Sequence, residues 1–204
     1  MDLLKFEQQY PKGSIVVGID EVGRGPWAGP VVAAAVVYDS LLSKQWLTTV
    51  KDSKQLTSSK REQLYQEFIK EDLYFGIGQA SVQEIDTINI LQATFLAMSR
   101  AVQQLPITPE YILIDGKQIP PFFTGSCQAI IKGDQKSLTI ASASVIAKVY
   151  RDRLMATLHQ THPEYGWNHN KGYGTRYHQQ ALSIHGITLH HRKSFKPIQK
   201  VLAR

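Results

Sequence analysis

The chain has 204 residues, 43% hydrophobic and 20% charged, which suits one soluble domain with a full core. Its longest apolar runs, such as Val31–Val37, cannot span a bilayer, Met1–Tyr10 lacks the apolar stretch of a signal peptide, and the single Cys127 excludes an internal disulfide and argues against a zinc–thiolate cluster. The charge is uneven: residues 1–131 hold 11 Lys and Arg against 14 Asp and Glu, whereas residues 132–204 hold 12 against 3 and all seven histidines. Membrane and secreted proteins are thereby set aside, a cytoplasmic protein is expected, and a polyanionic partner such as nucleic acid competes with a generic basic surface.

Ser14–Ile19 is β-branched and apolar and reads as a buried strand ending at Asp20. Gly23, Gly25, Pro26, Gly29 and Pro30 then make a tight irregular link to a second strand, Val31–Tyr38, so the two should pair antiparallel. Asp39 and Asp52 read as turn residues. Ser58–Ile69 is a predicted helix, opened by a Ser59–Glu62 capping box. Leu73–Ala80 reads as a third strand, and Ile88–Gln104 as a helix with Leu91, Phe95, Met98 and Val102 on one face. Tyr111–Ile114 is a short buried strand that delivers Asp115, and Gln128–Ile131 is a strand followed by Lys132, Gly133 and Asp134. Ser137 to about Leu158 reads as a long helix whose Ala and Ser residues let it approach a sheet closely. Beyond Thr161 the chain is polar and basic, broken by glycines, with a helix around Ala181–His185. Three strands followed by strand–helix alternation predict an α/β fold, a mixed sheet with helices on its faces.

Three segments share one design: an apolar strand, then an acid, with glycine nearby. They carry Asp20 with Glu21, Asp115, and Asp134. Strand ends commonly converge on a ligand crevice. Carboxylates gathered there repel one another unless cations fill the space, and hard divalent ions such as Mg²⁺ or Mn²⁺ suit oxygen ligands. Each acid taken singly also reads as a turn residue or helix cap. Asp20 and Glu21 raise a geometric difficulty, because successive strand residues face opposite ways. Both serve one site only if the strand ends or bends between them.

Gly23-Arg24-Gly25 is a possible backbone nest for an anion or hydroxyl, or simply a turn. Lys171, Tyr173, Arg176 and Tyr177 interleave cations with aromatic faces, a pattern that suits sugar stacking and phosphate contact as well as ordinary surface or core. Asp152, between two arginines, reads as their solvated partner. His159, His162, His190 and His191 lack zinc spacing and read as surface or phosphate-neighbouring residues.

Six runs stand in order along the chain: GIDEVGRGPWAGPVVAAAVV at 18–37, DSKQLT at 52–57, ILIDGK at 112–117, IIKGDQKSLTIASASVIAKVYRDRLM at 130–155, HPEYGWNHNKGYGT at 162–175 and HHRKSF at 190–195. Through them nearly the whole chain resembles bacterial ribonuclease HII. Val22 stands where the family often has Ala. The resemblance implies an RNase H-like fold with a central five-stranded mixed sheet and a helical C-terminal portion. It implies one domain, with a catalytic core over about 13–160 and a basic substrate-binding portion over about 161–204. The 13 residues before the first strand favour HII over HIII, which carries an N-terminal extension.

The resemblance further implies cleavage of RNA in RNA–DNA hybrids and incision 5′ of ribonucleotides embedded in duplex DNA, leaving 3′-hydroxyl and 5′-phosphate. It assigns Asp20, Glu21, Asp115 and Asp134 to a site for two divalent ions. It gives Gly23, Arg24 and Gly25 to the ribose 2′-hydroxyl and Tyr173 to the deoxyribose at an RNA–DNA junction. Lys54, Ser144, Lys148 and Arg151 fall in blocks near the phosphates. A monomer is expected, and no clamp-docking segment is readable. The competing readings are a DNA-directed nuclease of the same fold and a non-catalytic nucleic-acid-binding module.

Overall fold

The structure is a computed structural model that describes residues 3–38, 50 and 56–203. Five strands, β1 (Val16–Val22), β2 (Val31–Tyr38), β3 (Phe75–Ala80), β4 (Tyr111–Asp115) and β5 (Ser126–Ile130), form one sheet in the order β3-β2-β1-β4-β5. The β1–β2 and β2–β3 pairs are antiparallel, while β1–β4 and β4–β5 are parallel. Helices α1 (Ser58–Lys70), α2 (Val82–Gln103) and α3 (Leu138–Thr161) pack on this sheet, and α4 (Trp167–Asn170), α5 (Arg176–His185) and α6 (Lys196–Leu202) follow. The expected mixed sheet with helices on its faces is what the chain forms.

The β2 run VVAAAVV is apolar throughout because both its faces are covered. Val31, Ala33, Ala35 and Val37 pack with Ala93, Ala97 and Met98 of α2. Val32, Ala34 and Val36 pack with Leu64 and Phe68 of α1 and Val145 and Ile146 of α3. The small residues of α3 have the consequence read from them. A Cβ on Gly18 of β1 would stand 2.2 Å from Thr139 Oγ1 and 2.5 Å from the Ile140 nitrogen, so the helix lies almost on the strand. A further core joins Ala28, Met155, Tyr165, Trp167, Leu182 and Ile198, with the Tyr165 and Trp167 rings stacked 5.1 Å apart.

Several boundaries differ from expectation for identifiable reasons. Thr57, not Ser59, caps α1 by accepting from the Lys60 N–H at 3.2 Å, and Glu62 instead meets Arg153. The capping box lies at Ser81–Glu84, so α2 begins before Ile88. Asn89, at φ 68°, breaks that helix and restarts it by accepting from the N–H groups of Leu91 and Gln92. Asp152 pairs with Lys148 at 2.5 Å rather than with its flanking arginines. Asp39, Asp52 and Lys54 lie outside the described residues.

Candidate active site

β1 does not end at Asp20. It runs on through Val22, paired with β2, while its pairing with β4 stops at Ile19–Ile114. The expected end of the strand at Asp20 is therefore wrong, and β1 is instead paired unequally on its two sides. Asp20 and Glu21 lie on the part of β1 beyond its pairing with β4, and the charge of Asp115 acts on both. Asp20 faces α3, is 5% exposed and is hydrogen-bonded by Ser144. The Glu21 N–H donates to Asp20 Oδ1 at 2.7 Å. Burial pushes the Asp20 carboxyl well above the usual range, and the charges of Glu21 and Asp115 push it further. Burial also raises Glu21, against the opposing pull of Arg24, whose Nη1 lies 3.2 Å from Glu21 Oε1.

Asp115 closes β4, and its Oδ1 accepts from the Gly133 N–H at 2.6 Å. That bond ties the short helical turn Gly133–Gln135, with the buried Asp134, to the end of β4. As the side chains lie, no three acids among the described residues stand close enough to grip one ion. The donor set nevertheless fits a hard divalent cation. Glu21 Oε2 is buried with no hydrogen-bond partner, and Asp20 is crowded by two other carboxylates. A buried, unpaired carboxylate oxygen is unfavourable until something positive meets it.

Beside the acids runs the loop Gly23–Pro30. Gly23 has φ +91°, and a Cβ there would meet Arg151 Nε at 2.2 Å, so side chains are excluded twice over. The Tyr173 ring lies over Gly25, with Cε1 3.4 Å from where a Cβ would stand. Tyr173 itself is 48% exposed. Among the described residues, none accepts a hydrogen bond from the N–H groups of Gly23, Arg24 or Gly25. Lys148, near α3's middle, pairs with Asp152, and burial lowers its ammonium pKa.

Two expectations need correction. Arg151 is 1% exposed, and its Nε, Nη1 and Nη2 donate to the carbonyls of Pro30, Lys171 and Ala28 at 3.0, 2.9 and 3.0 Å. It braces the chain from inside and is not placed to meet a phosphate. His191 is fully buried, not at the surface. Its Nε2 lies 3.1 Å from His178 Nε2, and its Nδ1 accepts from the Thr188 N–H at 2.9 Å. Sequence reading passed over Arg192. It is fully buried and donates to the carbonyls of Gly29, Arg24 and Gly23 at 2.9, 3.0 and 2.6 Å. Its only signal was its place in the HHRKSF run.

Sheet order, two helical faces and acids at adjoining strand ends define a protein with the RNase H-like fold. The family model for ribonuclease HII matches residues 17–198. Ribonuclease HII from Marinomonas sp. (strain MWYL1) is 49% identical over 190 residues, covering 93% of this chain and 94% of that protein. Ribonuclease HII from Wolbachia pipientis wMel is 50% identical over 197 residues, covering 97% and 98%. Among solved structures, ribonuclease H2 from Pyrococcus horikoshii OT3 superposes with a TM-score of 0.77 at 29% identity, covering 93% of this chain and 98% of that one. The RNase HII of a PCNA complex from Archaeoglobus fulgidus gives 0.74 at 26%, covering 89% and 95%. The chain belongs to the ribonuclease HII family.

Proposed function

We propose that this protein is a divalent-metal-dependent endoribonuclease that cuts the RNA strand of RNA–DNA hybrids and incises 5′ of ribonucleotides embedded in duplex DNA. The observation that carries this reading is one juxtaposition. A buried carboxylate cluster around Asp20 lies within a few residues of three backbone amides that have no acceptor in the described chain. Asp20, Glu21, Asp115 and Asp134 would hold two ions, Mg²⁺ or Mn²⁺. Such ions supply charge stabilisation at phosphorus and activation of water near neutral pH.

The chain's own residues supply selection. The free amides of Gly23, Arg24 and Gly25 bind the 2′-hydroxyl, the feature that separates RNA from DNA, without reading the base. Tyr173, exposed beside Gly25, packs on the deoxyribose at the junction. Ser144 holds Asp20 in place, and Lys148 contributes positive charge toward the backbone. The products are a 3′-hydroxyl and a 5′-phosphate. Residues of about 161–204 form the basic substrate-binding portion of a single domain whose catalytic core spans about 13–160. A monomer suffices, since one chain supplies every site residue. Among the described residues, no helix is long and apolar enough to cross a membrane, and cytoplasmic work on chromosomal hybrids fits the substrate.

The deciding assay offers matched duplexes, one all-DNA and one with a single ribonucleotide, with Mg²⁺, Mn²⁺ or EDTA. Nicking of the ribonucleotide duplex alone, abolished by EDTA, is expected. Equal nicking of both would leave a DNA-directed nuclease, and binding without nicking would leave a non-catalytic module.

A further inference from the structure

Arg192 lies far from the acids in sequence, and no role in cleavage follows from its letter. Its surroundings are unusual. The guanidinium is fully buried, yet no carboxylate among the described residues pairs with it. Burial, and the charge of Arg151, pull its pKa down to about 9. A buried cation with no direct ion pair is costly; the charge of Asp86 offsets part of that cost, and backbone dipoles supply its direct hydrogen bonds. Nη2 meets the Gly23 carbonyl at 2.6 Å, Nη1 the Arg24 carbonyl at 3.0 Å and Nε the Gly29 carbonyl at 2.9 Å. The Arg192 N–H also donates to the Trp27 carbonyl at 2.8 Å. The Phe195 ring lies under the fork, its centroid 5.1 Å from Cζ.

Peptide planes have two ends. When the carbonyls of Gly23 and Arg24 are drawn inward to one planar fork, the amides of the same planes, on Arg24 and Gly25, take a fixed outward direction. Those are two of the amides left without an acceptor. Gly23 tolerates this only because glycine accepts φ +91°. A lysine could not substitute: it presents a point charge, whereas the spacing of three carbonyls needs a rigid fork.

We infer that Arg192 is a specificity-determining positioning residue: it holds the Arg24 and Gly25 amides in the orientation that reads a 2′-hydroxyl, and touches no substrate itself. The inference rests on the 2′-hydroxyl reading proposed above. Arg151 shares the loop but grips its far end, at Ala28 and Pro30. Arg192 alone of the two reaches the carbonyls of the glycine–arginine–glycine step.

The test compares single-turnover cleavage of two duplexes that differ at one sugar, 2′-hydroxyl or 2′-fluoro, by the wild type and by Arg192→Lys. The wild type should prefer the 2′-hydroxyl. In Arg192→Lys that preference should shrink by about tenfold, the worth of one well-aimed hydrogen bond, through loss of rate on the 2′-hydroxyl duplex. Parallel losses on both duplexes, with the preference intact, would reduce Arg192 to a structural brace and overturn the inference. Should Arg192→Lys not fold, Phe195→Leu loosens the fork more gently and should move the same ratio in the same direction; an unmoved ratio there overturns the inference too. A wild type indifferent to the sugar would instead remove the 2′-hydroxyl reading itself.

Discussion

Two neighbouring stretches of β1 and its following loop are built on opposite principles. At Asp20 and Glu21 the chain gathers carboxylates whose pKa values are raised by burial and by neighbouring carboxylate charge, and leaves Glu21 Oε2 unpartnered. At Gly23–Pro30 the chain carries almost no side-chain chemistry, yet two buried arginines bind the carbonyls of Gly23, Arg24, Ala28, Gly29 and Pro30 from behind. On the function proposed above, the first region is destabilised so that it can bind something positive. The second is held from behind at five carbonyls, which on the same proposal fixes the direction of its free amides. A site that must accept an ion and also judge a sugar has reason for both: affinity needs unmet charge, whereas selectivity needs a fixed geometry.

The largest expected effect tests the first half. Asp20→Asn keeps the shape and removes the charge. It should cut the single-turnover cleavage rate by about 10³-fold or more, since the electrostatic contribution at stake is several kcal/mol and each decade takes about 1.4 kcal/mol. In EDTA the same variant should melt above the wild type, because a neutral amide relieves the crowding at a buried position. A variant that is both inactive and less stable would mean Asp20 is a structural residue, and the contrast with the loop would lose its first term.

Arg151→Met attacks the second half. Three buried carbonyls lose their donor, at about 1–3 kcal/mol each before relaxation, offset in part by removing a desolvated cation. A net loss near 3 kcal/mol, roughly a 6–12 °C drop in Tm for a domain of this size, should follow in thermal melts. An unchanged Tm would show that the loop holds itself.

How much of this was readable from sequence depends on what each feature consists of. Asp115 and Asp134 were legible because an apolar strand before an acid is a pattern in letters. The packing of α3 was legible because Ala and Ser in Leu138–Ala147 announce close approach. The geometry at Asp20 was not: β1 passes beyond β4 because β2 reaches further than β4 does, and relative strand length is a property of the assembled sheet. The arginines were read least well. Arg151 sits in an RDR run that looks like a solvated helix face, yet its acceptors are three carbonyls, from residues 20, 121 and 123 positions away. Carbonyls have no letter, so an arginine that braces backbone is indistinguishable in sequence from one that meets a phosphate. The start of α2 is different: Ser81 and Glu84 spelled a capping box, and the reading passed it by.

The smallest effect is a pH dependence, in which the acids and a buried histidine pair behind Tyr173 differ in sign. His178 and His191 face each other at 3.1 Å behind Tyr173, whose carbonyl lies 3.0 Å from His178 Nδ1. A neutral pair fits these bonds. His191 Nδ1 accepts from Thr188, so Nε2 carries its proton and donates to His178 Nε2. Burial lowers both pKa values, His191 to about 3 from an ordinary 6.5. The unfolded chain therefore binds protons that the folded chain refuses. Stability from this pair is complete above pH 6.5 and is lost as the pH falls below it, at about 1.4 kcal/mol per pH unit for each histidine. Asp20 runs the other way: its raised pKa makes stability fall as the pH rises through the carboxylate range. Urea melts of the wild type and His191→Gln between pH 5 and 8 distinguish them. The wild type should weaken below pH 6.5, and the variant should lose about one proton's worth of that slope. Equal slopes would mean that water already reaches the pair, and that Tyr173 is held by the loop braces alone.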